Sequence, residues 1–128
     1  MSARLKVRAA SGASDGALVA KAIHRIAEYW NLTNEGLGEI LGLSGSTVSR
    51  LRNGSWHFQP GAKSFELAQY LMRLFRSLDS LMGSDDAAAR SWLESENREL
   101  GGTPIDLIRT IRGLSDVADY VDDYRARV

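Results

Sequence analysis

A run of hydrogen-bonding side chains between residues 44 and 53 is the part of this 128-residue sequence best suited to chemistry with another molecule. Hydroxyl, amide and guanidinium groups can bond the base edges and phosphates of a DNA groove, and arginine can pair with guanine through two hydrogen bonds. The candidate DNA contacts are Ser44, Ser46, Thr47, Ser49, Arg50, Arg52 and Asn53. An inert helical hairpin is the alternative, although such a hairpin has no need of these side chains.

No residue pattern typical of an enzyme is found in the sequence. Cysteine is missing, which excludes disulfides and thiolate metal sites. His24 and His57 are far apart, and neither a Ser/His/Asp set nor a glycine-rich phosphate loop occurs at a recognisable spacing. We therefore expect no catalytic residue, no metal and no cofactor. The acid pairs Asp85-Asp86 and Asp122-Asp123 are better explained as a helix start and a solvated face.

Two short helices joined by a tight turn must position the candidate DNA contacts. Thr33 and Ser44 are suited to begin these helices, and Gly42 and Gly54 to end them. The turn of three or four residues has the spacing of a DNA-binding helix-turn-helix. Gly38 falls where the first helix must approach the second closely, which favours a residue without a side chain.

The stretch from Leu41 to Gly54, with the sequence LGLSGSTVSRLRNG, resembles the Xre/Cro repressor family. The resemblance implies a DNA-binding module, which we place at residues 15–63 after a flexible arm at residues 1–14. Residues 15–30 are predicted to form a helix with Ser14 as its cap. The loop over 55–62 is predicted to fold Trp56 and Phe58 back on the core.

A long helix is predicted over residues 64–83, with Ser64 as its cap. Its apolar residues cover most of its circumference, so it should be buried on more than one side. It would join the two halves of the chain, and it would either lie at a homodimer interface or be buried in a single core. The next helix is predicted to begin at Ser84-Asp85-Asp86 and to run toward Leu100.

Residues 92–113 say the most about the second half of the chain. Gly101 and Gly102 are suited to close a helix, and Thr103, Pro104 and Asp106 can form a capping box at the start of the next one. Gly113 can end that short helix, and Ser115 can cap a further one. These signals predict a helix, a turn, a short helix that ends at Gly113, and a last helix that starts near Asp116.

The same stretch resembles the toxin-binding domain of the Xre/MbcA/ParS antitoxin family. The resemblance is carried by Trp92-Leu93, Asn97, Leu100-Gly101-Gly102, Pro104, Asp106-Leu107-Ile108, Gly113 and Val117. It implies an all-α fold, in which an N-terminal helix-turn-helix module is followed by a C-terminal helical toxin-binding domain over 64–128. It further implies that the partner is a RES-domain toxin, which degrades NAD or transfers its ADP-ribose. The antitoxin would block the active site of this toxin and repress the shared operon.

The last predicted helix is the expected site of toxin contact. Its apolar residues recur at steps of three and four up to the end of the sequence, which suggests a partner; packing on the domain itself is the alternative. By the resemblance, the candidate toxin contacts are Tyr120, Asp122, Asp123, Tyr124, Arg125, Arg127 and Val128. The alternative function is that of a stand-alone, phage-like Xre/Cro repressor whose second half only dimerises.

The charge of the chain is unevenly distributed, although its net charge is zero. Residues 1–64 carry a balance of +4 and residues 65–128 a balance of −4. This asymmetry suggests two partners of different charge, with chance unevenness as the alternative. No apolar run is long enough to span a membrane. We expect a soluble cytoplasmic protein that forms a homodimer.

Overall fold

The computed structural model describes residues 15–127, which form seven helices and no β-strand. The predicted all-α class is therefore confirmed. The helices are α1 (Asp15–Trp30), α2 (Asn34–Leu41), α3 (Gly45–Asn53), α4 (Lys63–Leu81), α5 (Asp86–Glu94), α6 (Pro104–Leu107) and α7 (Ile111–Arg127). Three predictions lie outside the described residues: the arm over 1–14, the cap of α1 at Ser14 and the candidate toxin contact Val128.

Helices α2 and α3 begin and end at the predicted signals. Thr33 and Ser44 each accept, through the side-chain oxygen, a hydrogen bond from the backbone amide three residues further on, at 2.9 and 3.2 Å. Gly42 and Gly54 have φ angles of 70° and 87°, which favour glycine because it lacks a Cβ. A Cβ on Gly38 would lie 2.7 Å from a backbone carbonyl oxygen of the turn, so this close approach is also as predicted.

The loop that leaves α3 returns two aromatic rings to the core, as predicted. Phe58 is 2% exposed, and its ring lies 6.2 Å from that of Phe65 on α4. The ring of Trp56 packs edge-on against Phe58 at 5.0 Å. The loop therefore anchors the end of the helix-turn-helix to the long helix.

Helix α4 lies at the centre of the fold, where it packs against α1 and against α7. The predicted burial on more than one side is confirmed, and it occurs within the chain: the buried apolar residues are Phe65, Leu67, Ala68, Leu71, Met72, Leu74, Phe75 and Leu78. These side chains are thus not available to a dimer interface. The predicted cap at Ser64 is wrong, because the helix begins at Lys63 and its N-cap Ala62 has no side-chain oxygen.

Helix α5 is shorter than the sequence predicts. Asp85 caps it, in agreement with the expected acidic start, but the helix ends at Glu94 instead of continuing toward Leu100. Asn97 replaces the helical bonds with a local turn. Its side-chain Oδ1 accepts a hydrogen bond from the backbone amide of Leu100 at 3.0 Å, and its backbone amide donates to the Gly102 carbonyl at 2.9 Å.

The predicted boundaries after residue 102 are partly wrong. Thr103 is the N-cap residue of α6 and the proline follows at the first position, but the Thr103 side chain forms no capping bond. Gly113 lies inside α7, which begins at Ile111 rather than at a cap on Ser115. Glycine is needed at 113 because a Cβ there would overlap the carbonyl oxygen of Leu107.

Two arginines from the second half of the chain bond to its first half. Arg90 on α5 donates from Nη1 to the Tyr29 carbonyl at the end of α1, at 2.8 Å. Arg109, which follows α6, donates from Nη1 to Glu39 Oε1 on α2 at 2.9 Å. Together with α4, these bonds fix the helix-turn-helix relative to the C-terminal helices.

Candidate functional site

One exposed face of α3 carries most of the predicted DNA contacts. Ser46, Ser49, Arg50 and Asn53 are exposed and recur at steps of three or four residues, so they share a face. Thr47 is half-buried beside them, and its Oγ1 accepts a hydrogen bond from Arg50 Nη2 at 3.3 Å. This face offers the donors and acceptors that base edges and phosphates can use.

Ser44 has a structural role at the start of that face. Besides accepting the capping bond, its hydroxyl donates to Thr47 Oγ1 at 2.9 Å. Its Oγ also lies 3.3 Å from Ser46 Oγ. Ser44 therefore orients the first turn of α3.

The side chain of Arg52 lies away from the exposed face and binds the rest of the module. Its Nε donates to His24 Nδ1 at 3.3 Å, and its Nη1 donates to the Leu32 carbonyl at 3.3 Å and to Asn34 Oδ1 at 3.2 Å. These bonds attach α3 to α1 and to the turn before α2. The geometry therefore gives Arg52 a positioning role. The other candidate DNA contacts on α3 lie on or beside its exposed face.

The outer end of α7 brings four of the predicted toxin contacts together. Asp123, Tyr124, Arg125 and Arg127 are all exposed, and Tyr124 keeps 47% of its surface accessible. A large aromatic ring flanked by arginines on a helix is typical of a protein interface, where Tyr and Arg supply much of the binding energy.

Asp122 is turned toward α4 instead. Arg73 Nε donates to Asp122 Oδ2 at 2.7 Å, Ser77 Oγ donates to Asp122 Oδ1, and Arg73 Nη2 bonds to Asp119 Oδ1 at 2.6 Å. Burial alone would raise the pKa of Asp122, but the hydrogen bonds from Ser77 and Arg73 outweigh burial and lower it. The bonds to Asp119 and Asp122 in turn raise the pKa of Arg73. The predicted solvated face is thus correct for Asp123 and wrong for Asp122.

An aromatic groove adjoins the outer end of α7. It is about 310 Å³ in volume, and Leu81, Met82, Trp92, Tyr120 and Tyr124 line it. The rings of Trp92 and Tyr120 stack at 6.4 Å, and that of Tyr124 lies 6.1 Å from Tyr120. Only the packing of α4, α5 and α7 brings these residues together. Local sequence patterns therefore gave Leu81 and Met82 no contact role and marked Trp92 only as part of a family motif.

Tyr120 is half-buried in this groove and joins α7 to the turn after α5. Its hydroxyl donates to Glu99 Oε1 at 2.6 Å, and this bond is the main cause that raises the pKa of Tyr120. Of the predicted toxin contacts, Tyr120 therefore has its hydroxyl bonded within the chain.

The two histidines belong to no catalytic or metal-binding cluster among residues 15–127. His24 accepts the bond from Arg52 and lies 3.6 Å from Glu28, whereas His57 is exposed. No group of three His, Asp or Glu side chains in this part of the chain is close enough to hold a metal ion. None of the described helices is both long and apolar enough to cross a membrane.

Comparison with known protein families matches both halves of the chain. Residues 9–73 match the antitoxin Xre-like helix-turn-helix domain, and residues 77–127 match the antitoxin Xre/MbcA/ParS C-terminal toxin-binding domain. The two segments meet inside α4, which packs on both modules. A comparison with curated proteins found no significant match. Neither matched family is a family of enzymes, and the family resemblance seen in the sequence is confirmed. The chain belongs to the Xre-like antitoxins, in which a DNA-binding helix-turn-helix precedes a toxin-binding domain.

Proposed function

We propose that this protein neutralises a RES-domain toxin by covering its active site. The toxin would be an enzyme that consumes NAD or transfers ADP-ribose, and the antitoxin itself would carry no activity. The proposal extends the family assignment to one class of toxin. The observation that carries it is the exposed end of α7, where Tyr124 lines the aromatic groove and Arg125 and Arg127 are exposed in the same last turn of the helix.

The chemistry of this helix end suits such a toxin. An NAD pocket must hold two phosphates and an adenine ring, so it offers groups that attract either anions or planar rings. The ring of Tyr124 and the carboxylate of Asp123 present both features from adjacent positions on α7. The domain that contains them has a net charge of −4 over residues 65–128, which favours a basic partner surface.

The proposal is tested by co-expressing this chain with a RES-domain toxin, in the first place one encoded by a reading frame adjacent to this gene. We expect the purified complex to suppress NAD consumption by the toxin. Tyr124→Ala, and more so Tyr124→Ala with Arg127→Ala, should weaken inhibition by about tenfold or more, because interface tyrosines and arginines commonly contribute over 1 kcal/mol each. The matched control is Ile111→Ala, which removes another exposed apolar side chain, 63% accessible, at the opposite end of α7. Equal inhibition by all these variants would contradict the proposal.

We propose as a second role that the exposed face of α3 binds the operator of the same operon in the cytoplasm. Two copies would be needed, since helix-turn-helix proteins contact half-sites spaced roughly 34 Å apart. The dimer surface would lie outside α4, whose apolar residues are buried in the chain. A stand-alone phage-like repressor is the alternative, and it predicts that no neighbouring RES reading frame is present and that DNA binding is unaffected by any co-expressed toxin.

A further inference from the structure

A basic hollow lies between α1 and the C-terminal end of α3. Its volume is about 390 Å³, its floor is apolar and includes Leu51, and its rim carries Lys21, Arg25, Arg52 and His57. Of the described residues that line it, only Glu28 is acidic. The hollow therefore has the shape and charge to receive a small anionic group.

Lys21 and Arg25 are the two exposed cations of this hollow. They stand one helical turn apart on α1, so both side chains project over the same face. Both are exposed, and neither forms a salt bridge with a residue in the range 15–127. The third cation, Arg52, is held in place by its three hydrogen bonds, whereas Lys21 and Arg25 are exposed to solvent.

The hollow is continuous with the exposed face of α3. Asn53 is the last residue of that face and it also lines the hollow, as does Gly54. In helix-turn-helix proteins the N-terminal residues of the recognition helix contact the base edges. The last turn of α3, which carries Asn53, would then lie nearer to the phosphates at the edge of the groove.

We propose that the basic hollow seats the DNA backbone, with Lys21 and Arg25 each contacting a phosphate at the edge of the groove that α3 enters. This inference rests on the proposed operator binding. The contacts would add affinity and fix the register of α3 without reading sequence, since phosphates are the same at every base pair. Base discrimination would remain with the exposed face of α3.

The test is a salt titration of DNA binding by the full-length protein. Affinities of the wild type and of Lys21→Ala with Arg25→Ala are measured over a range of KCl concentrations, on a duplex from the promoter region of its own gene and on an unrelated duplex of equal length. The matched control is Arg98→Ala with Arg112→Ala, which removes the same charge from two exposed positions of the toxin-binding domain. Thermal unfolding curves verify that the variants fold.

We expect the Lys21 and Arg25 variant to reduce the slope of log affinity against log salt by about 0.9 per contact, or about 1.8 per protomer, equally on both duplexes. The control should keep the wild-type slope. An unchanged slope in the Lys21 and Arg25 variant, or an equal reduction in the control, would overturn the proposal. A loss of toxin binding with an unchanged slope would also overturn the proposal, because it would indicate that the hollow binds an acidic surface of the toxin and not DNA. A wild type that binds neither duplex would instead refute the operator binding itself.

Discussion

Arg73 on α4 and Asp122 on α7 form a salt bridge in which Nε lies 2.7 Å from Oδ2. The same guanidinium also reaches Asp119 one turn earlier, at 2.6 Å. Because Arg73 bonds two successive turns of α7, it reinforces the apolar packing that holds this helix on α4. Tyr124 follows Asp122 by two residues, so the helix that Arg73 helps to hold in place also carries this exposed ring.

Replacing Asp122 by Asn should lower the free energy of unfolding by about 1 kcal/mol at neutral pH, since the bridge is partly exposed. The folded-state pKa of Asp122 is depressed, so its contribution is fully present above the unfolded pKa of about 3.9 and is lost as pH falls through the folded value. Urea unfolding at pH 7 and at about pH 3 checks this: the difference between wild type and variant should shrink at the lower pH. Asp123→Asn, at an exposed neighbouring position, should have no effect at either pH.

Substitution of Arg52 should reduce the stability of the protein, whereas substitution of Arg50 should reduce its affinity for DNA. Arg52→Ala should lower the free energy of unfolding by about 1–2 kcal/mol, because it leaves three hydrogen-bond acceptors without their donor. Arg50→Ala should change that free energy by less than about 0.5 kcal/mol, yet reduce operator affinity by about tenfold. Denaturant unfolding and DNA titration of both variants measure this separation. Similar stability losses in the two variants would show that Arg52 does not hold the module together.

Gly113 and Gly45 provide a matched pair inside helices. Gly113→Ala should destabilise the protein by about 1–3 kcal/mol, since its Cβ would overlap the Leu107 carbonyl oxygen and force α6 away from α7. Gly45→Ala should stabilise α3 by up to about 1 kcal/mol, because a Cβ there meets no atom within 4 Å. Thermal or urea unfolding measures both changes. A neutral Gly113→Ala would mean that the α6–α7 turn can relax freely.

The Arg109–Glu39 salt bridge should contribute a small but measurable coupling between the two modules. Its side chains are 34% and 49% exposed, so a double-mutant cycle with Arg109→Ala and Glu39→Ala should give about 0.2–1 kcal/mol at low salt. The coupling should decline as salt is added, because exposed charges are screened. Unfolding free energies of the four proteins at two KCl concentrations supply the measurement. Strict additivity at low salt would show that the bridge does not link the modules.

Local signals in the sequence were sufficient for the first half of the fold. The caps at Thr33 and Ser44, the left-handed Gly42 and Gly54 and the close approach at Gly38 were all predicted, since each depends on atoms within a few residues along the chain. Local signals failed at Asn97 and Gly113. At Asn97 a short turn replaced the predicted helix, and at Gly113 glycine is required by close packing against the carbonyl of Leu107 and not by a helix end.

The all-α class, the helix-turn-helix and the family could be predicted from the sequence, because helical periodicity, capping and motif spacing are contained in contiguous residues. The direction of the long polar side chains, in contrast, depends on how the helices pack against one another. Arg52 and Asp122 have the same local pattern as their exposed neighbours Arg50 and Asp123, yet each turns inward to partners on other helices. The partner of Asp122 is 49 residues away along the chain. Such a bond forms only after the helices have packed. A local pattern therefore does not distinguish a polar residue that is exposed to a partner from one that bonds to another helix of the same chain.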